Sequence, residues 1–281
     1  MMFCGLRVAA LLAICISTVS WANAAGKMNL VRGPEVTDKV AKTIERGASE
    51  VVVYMQQSLS FEHAESVTIY YSKDLTWLAE QSAREEGVGA SMVPSIAARY
   101  RGIGGEAGQG WVILNVASVE RGGTTSIKFV IAHELFHTVQ YELAGNNAAN
   151  YFTDPIGTEK MGPNWLIEGS AELFAFSYLE SMKLASVRKN FNKSDKISRS
   201  TGSAFLATLE SKPGMGSGNN AWEVSRSGAR HLASLTDLRR FPNYWGYLGS
   251  GMDWSLAFRT TFGMELSDFY GSYNAKMRRK P

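Results

Sequence analysis

In His133-Glu134-Leu135-Phe136-His137 two histidines stand four residues apart, with a glutamate directly after the first. On a helix that spacing puts both imidazoles on one face, where they can grip one ion. Zinc in a catalytic site takes three protein ligands and leaves a fourth position for water, so a third donor must come from elsewhere in the chain. Glu168, in Trp165-Leu166-Ile167-Glu168-Gly169-Ser170-Ala171-Glu172, is the best-placed residue. Glu168 and Glu172 are themselves i, i+4 neighbours in an apolar stretch, and two such carboxylates repel unless positive charge lies close by. The expected centre is therefore one zinc ion per chain held by His133, His137 and Glu168. Glu172 is expected just outside it, accepting the free ring N–H of a ligating histidine, His133 in the first instance. Glu134 lies about 100° around the helix from His133 and does not easily reach the same metal. Its expected role is to activate a zinc-bound water, taking a proton during attack on a carbonyl and passing it to the leaving amine.

The elements that position these residues are partly legible. Ile127, Val130, Ile131, Leu135 and Val139 make the motif helix apolar around most of its circumference, which predicts a core helix ending at Gly145. Thr124, Thr125 and Ser126 offer N-cap hydroxyls at its start. A loop from Gly145 to Pro163 leads to the Glu168 helix, predicted from Asn164 to about Met182. Upstream, Val36, Val40, Ile44, Ala48, Val51, Met55 and Leu59 recur at helical spacing and predict a helix over residues 37–58. Val67 to Tyr71 and Trp111 to Val116 read as strands, and Leu75 to Glu86 as a helix that Gly87 ends. Further helices are expected around Ser203 to Leu209, Ala221 to Leu235, Trp254 to Thr261 and Leu266 to Met277, with a flexible connection at Gly214 to Gly218.

The chain begins with Arg7, an apolar run from Val8 to Val19 and an Ala22-Asn23-Ala24 site, the order of a secretory signal peptide, so residues 1–24 are expected to be removed. The apolar run is shorter than the roughly 20 residues that span a bilayer, so no stable membrane anchor is expected after cleavage. Both cysteines, Cys4 and Cys15, lie in that leader, which leaves nothing for disulfides to staple. The formal charge is only +3 and no basic stripe interleaves with aromatics, so nucleic acid is not an expected partner. The one basic run, Lys276, Arg278, Arg279 and Lys280, reads as the solvated end of a last helix.

These residues resemble the gluzincin metallopeptidases, the group with an HExxH motif and a downstream glutamate that includes thermolysin and the aminopeptidase N family. Trp165 to Glu172 is similar to the aminopeptidase N form, in which Trp-Leu precedes the ligand glutamate and Gly-x-Ala follows it. The acidic residue four positions on is similar to thermolysin. The resemblance implies a zincin-like α+β fold, with a small twisted N-terminal sheet and the active-site helix at about residues 25–145 and a mainly helical part at about 146–281, all in one peptidase domain spanning 25–281. It also implies an edge strand that binds peptide by adding it to the sheet, expected at Trp111 to Val116. Two features of the aminopeptidases are not reproduced. Gly104-Gly105-Glu106-Ala107 replaces their amine-anchoring Gly-Ala-Met-Glu-Asn strand, and Ser225 precedes Gly228-Ala229 where they carry a tyrosine that stabilises the oxyanion. His231, Tyr244, Tyr247 and Arg230 are the replacement donors the sequence offers.

The expected function is zinc-dependent hydrolysis of peptide or protein substrates by an endopeptidase exported to the periplasm or secreted. The alternative expectation is a zinc-binding protein of the cell envelope that assembles or binds with little turnover.

Overall fold

A computed structural model describes residues 28–145, 160–202, 205–210 and 220–279. The leader, most of the loop between the two motif helices and the Gly214 to Gly218 connection lie outside the described residues. The architecture is α+β: a four-stranded mixed sheet on the N-terminal side, followed by helices.

Strand β1 (Met28–Arg32) leads into helix α1 (Asp38–Leu59), which starts one residue after the expected position because Thr37 is its N-cap and accepts from Val40 N. Strand β2 (Val67–Ser72) runs parallel to β1, with Met28 opposite Val67. Asp74 caps helix α2 (Leu75–Glu85) by accepting from the amides of Thr76 and Trp77 at 2.9 and 3.1 Å. Helix α3 (Val93–Tyr100), strand β3 (Gly105–Gly108), strand β4 (Trp111–Asn115) and the short helix α4 (Val116–Val119) follow. The strand order is β1-β2-β4-β3, with β4 parallel to β2 and β3 antiparallel to β4.

All five residues of β4 are buried, as a strand covered on both faces requires. Val112 and Leu114 join the larger core with Ile131 and Leu135, while Trp111 and Ile113 pack with Leu78, Ile96 and Tyr100 on the opposite face. The expected peptide-binding edge at Trp111 to Val116 is thereby corrected. Both long sides of β4 are already hydrogen-bonded, to β2 and β3, and the strand beside the motif helix that lies at the sheet's edge is β3.

The motif helix α5 (Gly123–Ala144) runs against the sheet. Its start is also corrected: Gly122 stands at the N-cap without a side-chain hydrogen bond, and Thr124, Thr125 and Ser126 lie inside the first turn. Helix α6 (Asn164–Ser181) packs along α5, and α7 (Val187–Thr201), α8 (Ala221–Leu235), α9 (Phe241–Gly249), α10 (Trp254–Phe262) and α11 (Leu266–Arg278) complete the helical part. Two contacts fix α5 against its neighbours. Phe136 stacks on Phe174 of α6 at 5.0 Å between centroids, and a buried ion pair joins Lys128 to Glu50 of α1, whose carboxylate also accepts from the Tyr178 hydroxyl at 3.0 Å. No helix among the described residues is long and apolar enough to cross a membrane.

Candidate metal centre

Helix α5 supplies His133, Glu134 and His137, and α6 supplies Glu168. The two helices are held in register by Gln140, which is fully buried. Its amide nitrogen donates to the Ile167 carbonyl and to Ser170 Oγ, both at 2.9 Å. A carbonyl can only accept, so that contact fixes which end of the amide faces α6 and turns Oε1 toward His137 Nδ1, 2.7 Å away. His137 must then carry its proton on Nδ1, leaving the Nε2 lone pair free. One residue beyond Glu168, a Cβ on Gly169 would come within 2.3 Å of the Ser225 carbonyl oxygen, so only glycine lets α8 lie directly against α6 here.

His133 Nε2 and His137 Nε2 are 3.0 Å apart, and Glu168 Oε2 lies 3.4 and 3.3 Å from them. Three ligands of one tetrahedral ion with bonds of about 2.0–2.1 Å are separated by roughly 3.4 Å. The arrangement thus matches the donor set and the spacing of one divalent ion. Glu168 Oε2 is a buried carboxylate oxygen with no hydrogen-bond donor among the described residues, and two ring nitrogens face each other beside it. Such a cluster needs positive charge at its centre. Without a metal that charge is a proton: burial would lower the His137 pKa, but the Glu168 carboxylate outweighs it and raises the pKa to about 9. Burial opposes ionisation of Glu168, yet His137 and His133 hold its pKa far below the usual carboxylate range.

Glu134 is buried beside β3. A Cβ on Gly105 would stand 2.7 Å from Glu134 Cγ and 2.9 Å from its Oε1, so the missing side chain makes room for the carboxylate. Burial pushes the Glu134 pKa up to about 7 against the lowering influence of His133 and His137. Tyr141, also on α5, has its phenol pKa raised by burial and by the carboxylates of Glu168, Glu106 and Glu134.

The structure brings His133, His137, Glu168 and Glu134 together as expected from the spacing, but it does not join Glu172 to His133. Glu172 makes a 2.5 Å ion pair with Arg226 of α8, whose guanidinium also lies 4.6 Å over the Phe176 ring. The repulsion that suggested a metal for both carboxylates is relieved for Glu172 by an arginine from a helix distant in sequence. His133 Nδ1 is buried with no hydrogen-bond partner among the described residues, and its ring lies between Phe129 and Trp222 at 6.1 and 6.3 Å. Glu106 is opposite Ile113 in the sheet and so belongs to the face turned away from α5, where it accepts from Arg99 and Tyr100 at 2.5 and 2.7 Å.

Sequence reasoning passed over Gln140, Gly105 and Arg226. The signal for Gln140 was present, since it is one more polar residue in a helix apolar on all sides. No protein-family model and no curated protein matches the chain.

Proposed function

We propose that this chain is a zinc-dependent peptidase of the gluzincin kind, acting outside the cytoplasm on peptide or protein substrates. The observation that carries the reading is the convergence of His133 Nε2, His137 Nε2 and Glu168 Oε2, with the Glu134 carboxyl beside them and β3 alongside. Two imidazoles and one carboxylate are a three-ligand set of the kind zinc has in a catalytic rather than a structural role, where the fourth position is left to water. Bound there, zinc supplies Lewis acidity toward a carbonyl oxygen and makes water more acidic.

The chain's own residues supply the rest. Gln140 keeps the His137 proton on Nδ1 and so keeps Nε2 available as a donor. Glu134 accepts a proton from the attacking water and delivers it to the amine nitrogen as the peptide bond breaks. Strand β3, Gly105-Glu106-Ala107-Gly108, has its one long side chain, Glu106, on the face away from α5, and its outer edge has no partner strand among the described residues, so an extended peptide can add to it by main-chain hydrogen bonds. With Glu106 turned away, nothing here favours a free amino terminus, and cleavage within a chain is the expected mode.

The test is hydrolysis of casein or a quenched peptide library by purified protein lacking the leader, with and without a chelator. Cleavage abolished by the chelator and restored by zinc is expected. Glu134→Gln should keep the metal and lose at least about a hundredfold in rate. Chelator-insensitive cleavage overturns the reading.

A further inference from the structure

Helix α7 carries the cations Arg188, Lys189, Lys193, Lys196 and Arg199 against a single carboxylate, Asp195. Asn192, Asp195, Lys196 and Arg199 fall at i, i+3, i+4 and i+7, on one face of the helix. With Ser200 they line an open groove of about 670 Å³. Asp195 ties α7 to both of its neighbours here. Its Oδ1 accepts from the Ser227 hydroxyl of α8 at 2.5 Å, and its Oδ2 lies 3.2 Å from Lys276 Nζ of α11. The one carboxylate is thereby committed.

Around it donors are left over. Arg199 Nε is buried without a hydrogen-bond partner, and so is the hydroxyl of Tyr273 on α11, which senses the charges of both Asp195 and Arg199. Arg230 of α8 lies 5.3 Å over the Phe191 ring of α7, and among the described residues neither it nor Arg199 pairs with a carboxylate. Lys276 stands close enough to both guanidiniums that they join burial in lowering its pKa, against the raising influence of Asp195. Three cations from three helices thus share one carboxylate. Like charges gathered in a partly buried place repel, and a buried N–H without an acceptor costs free energy. The junction lacks what a small anion brings: negative charge and several acceptor oxygens in a small volume.

We propose that the junction of α7, α8 and α11 binds a tetrahedral oxyanion, a phosphate or sulfate group, with Arg199 and Lys276 as its principal ligands and Arg230 adding to the positive field. Cations approaching from three helices suit a tetrahedral group better than a planar carboxylate. None of these residues belongs to the metal centre, so the site stands whether or not the chain is a peptidase.

Isothermal titration of purified protein with inorganic phosphate, at an ionic strength fixed with sodium chloride, should show one saturable site per chain with a Kd of about 1 mM or tighter. Arg199→Gln and Lys276→Gln should each weaken it by about tenfold or more, the loss of one charge-assisted hydrogen bond. Lys42→Gln, an equal change of charge on the exposed side of α1, should leave it within about twofold. Acylation of Lys276 in the wild type, followed by mass spectrometry, needs no variant to fold: phosphate at ten times its Kd should slow it by about tenfold, the factor one plus ligand concentration over Kd. Linear polyphosphate separates a free ion from a phosphorylated or sulfated chain. A chain that also follows α7 along the exposed Lys189 and Lys193 binds more tightly than phosphate and is weakened by Lys193→Gln, whereas a site for a single group treats the two ligands alike. Absence of a saturable site, a Lys276 that phosphate does not protect, or a loss in Lys42→Gln as large as in Arg199→Gln overturns the proposal.

Discussion

Replacing Gln140 by leucine removes an amide at nearly constant side-chain volume from a position with no exposure to water. Three hydrogen bonds go with it: the 2.7 Å contact to His137 Nδ1 and the two 2.9 Å bonds to Ile167 O and Ser170 Oγ. The Ile167 carbonyl keeps the Ser170 hydroxyl at 3.1 Å, so the group left without any partner is the His137 N–H. At about 1 kcal/mol net for each bond lost, with a further penalty of about 1–3 kcal/mol for the stranded N–H, stability should fall by about 4–6 kcal/mol, measured as a shift of the urea unfolding midpoint. Freed of its acceptor, His137 can place its proton on either nitrogen, and zinc affinity should fall by about 10- to 100-fold in competition with a chromophoric chelator. Gln140→Glu separates the two effects. It retains an oxygen toward His137 but sets another against the Ile167 carbonyl, so affinity should stay within a few-fold of wild type while stability falls. A folded Gln140→Leu protein that binds zinc as tightly as wild type refutes the argument that Gln140 fixes the His137 tautomer.

Two further outcomes follow from the geometry. Gly105→Ala places a methyl group within 3 Å of both the Glu134 side chain and Val130 Cγ1, so the carboxylate must move. Hydrolysis should fall by about a hundredfold with zinc content unchanged, at a stability cost of about 1–3 kcal/mol read from thermal melting. His231 is buried between Phe269 and Tyr273, and burial, aided by Lys276 and opposed by Asp195, lowers its pKa from 6.5 to about 4. Between those values the unfolded chain binds more protons than the folded one, so this residue's effect is absent above about pH 6.5 and stability is lost as pH falls toward 4. The loss should reach on the order of 2 kcal/mol at pH 5, and the difference between pH 7 and pH 5 should shrink in His231→Gln.

Long periodic segments were legible because burial of one face imposes its spacing on the residues. The helix predicted over 37–58, the Asn164 helix and the Ala221 helix occur within a residue or two of their expected bounds, and the motif helix ends next to Gly145 as expected although it begins ahead of the hydroxyls expected to cap it. Segments that exist only through their neighbours were not legible. Strand β3 reads Gly-Glu-Ala-Gly, with nothing β-branched or large; it is a strand because β4 pairs with it and α5 requires a residue without a side chain at Gly105. Strand β1 is short and half-polar, and α7 carries so few apolar residues that its pattern was lost among lysines and serines. The same division applies to the site. His133, Glu134 and His137 share one helix, so their relation is local. Glu172 was misread because its partner, Arg226, comes from a helix whose packing against α6 no spacing rule specifies.

The central claim is tested most directly by elemental analysis and X-ray absorption on purified protein lacking the leader. One zinc per chain is expected, bound by two imidazole nitrogens and a carboxylate oxygen at about 2.0–2.2 Å, with metal lost in both His137→Ala and Glu168→Ala. A protein that holds no divalent ion when supplied with one, or whose zinc survives both substitutions, contradicts the account.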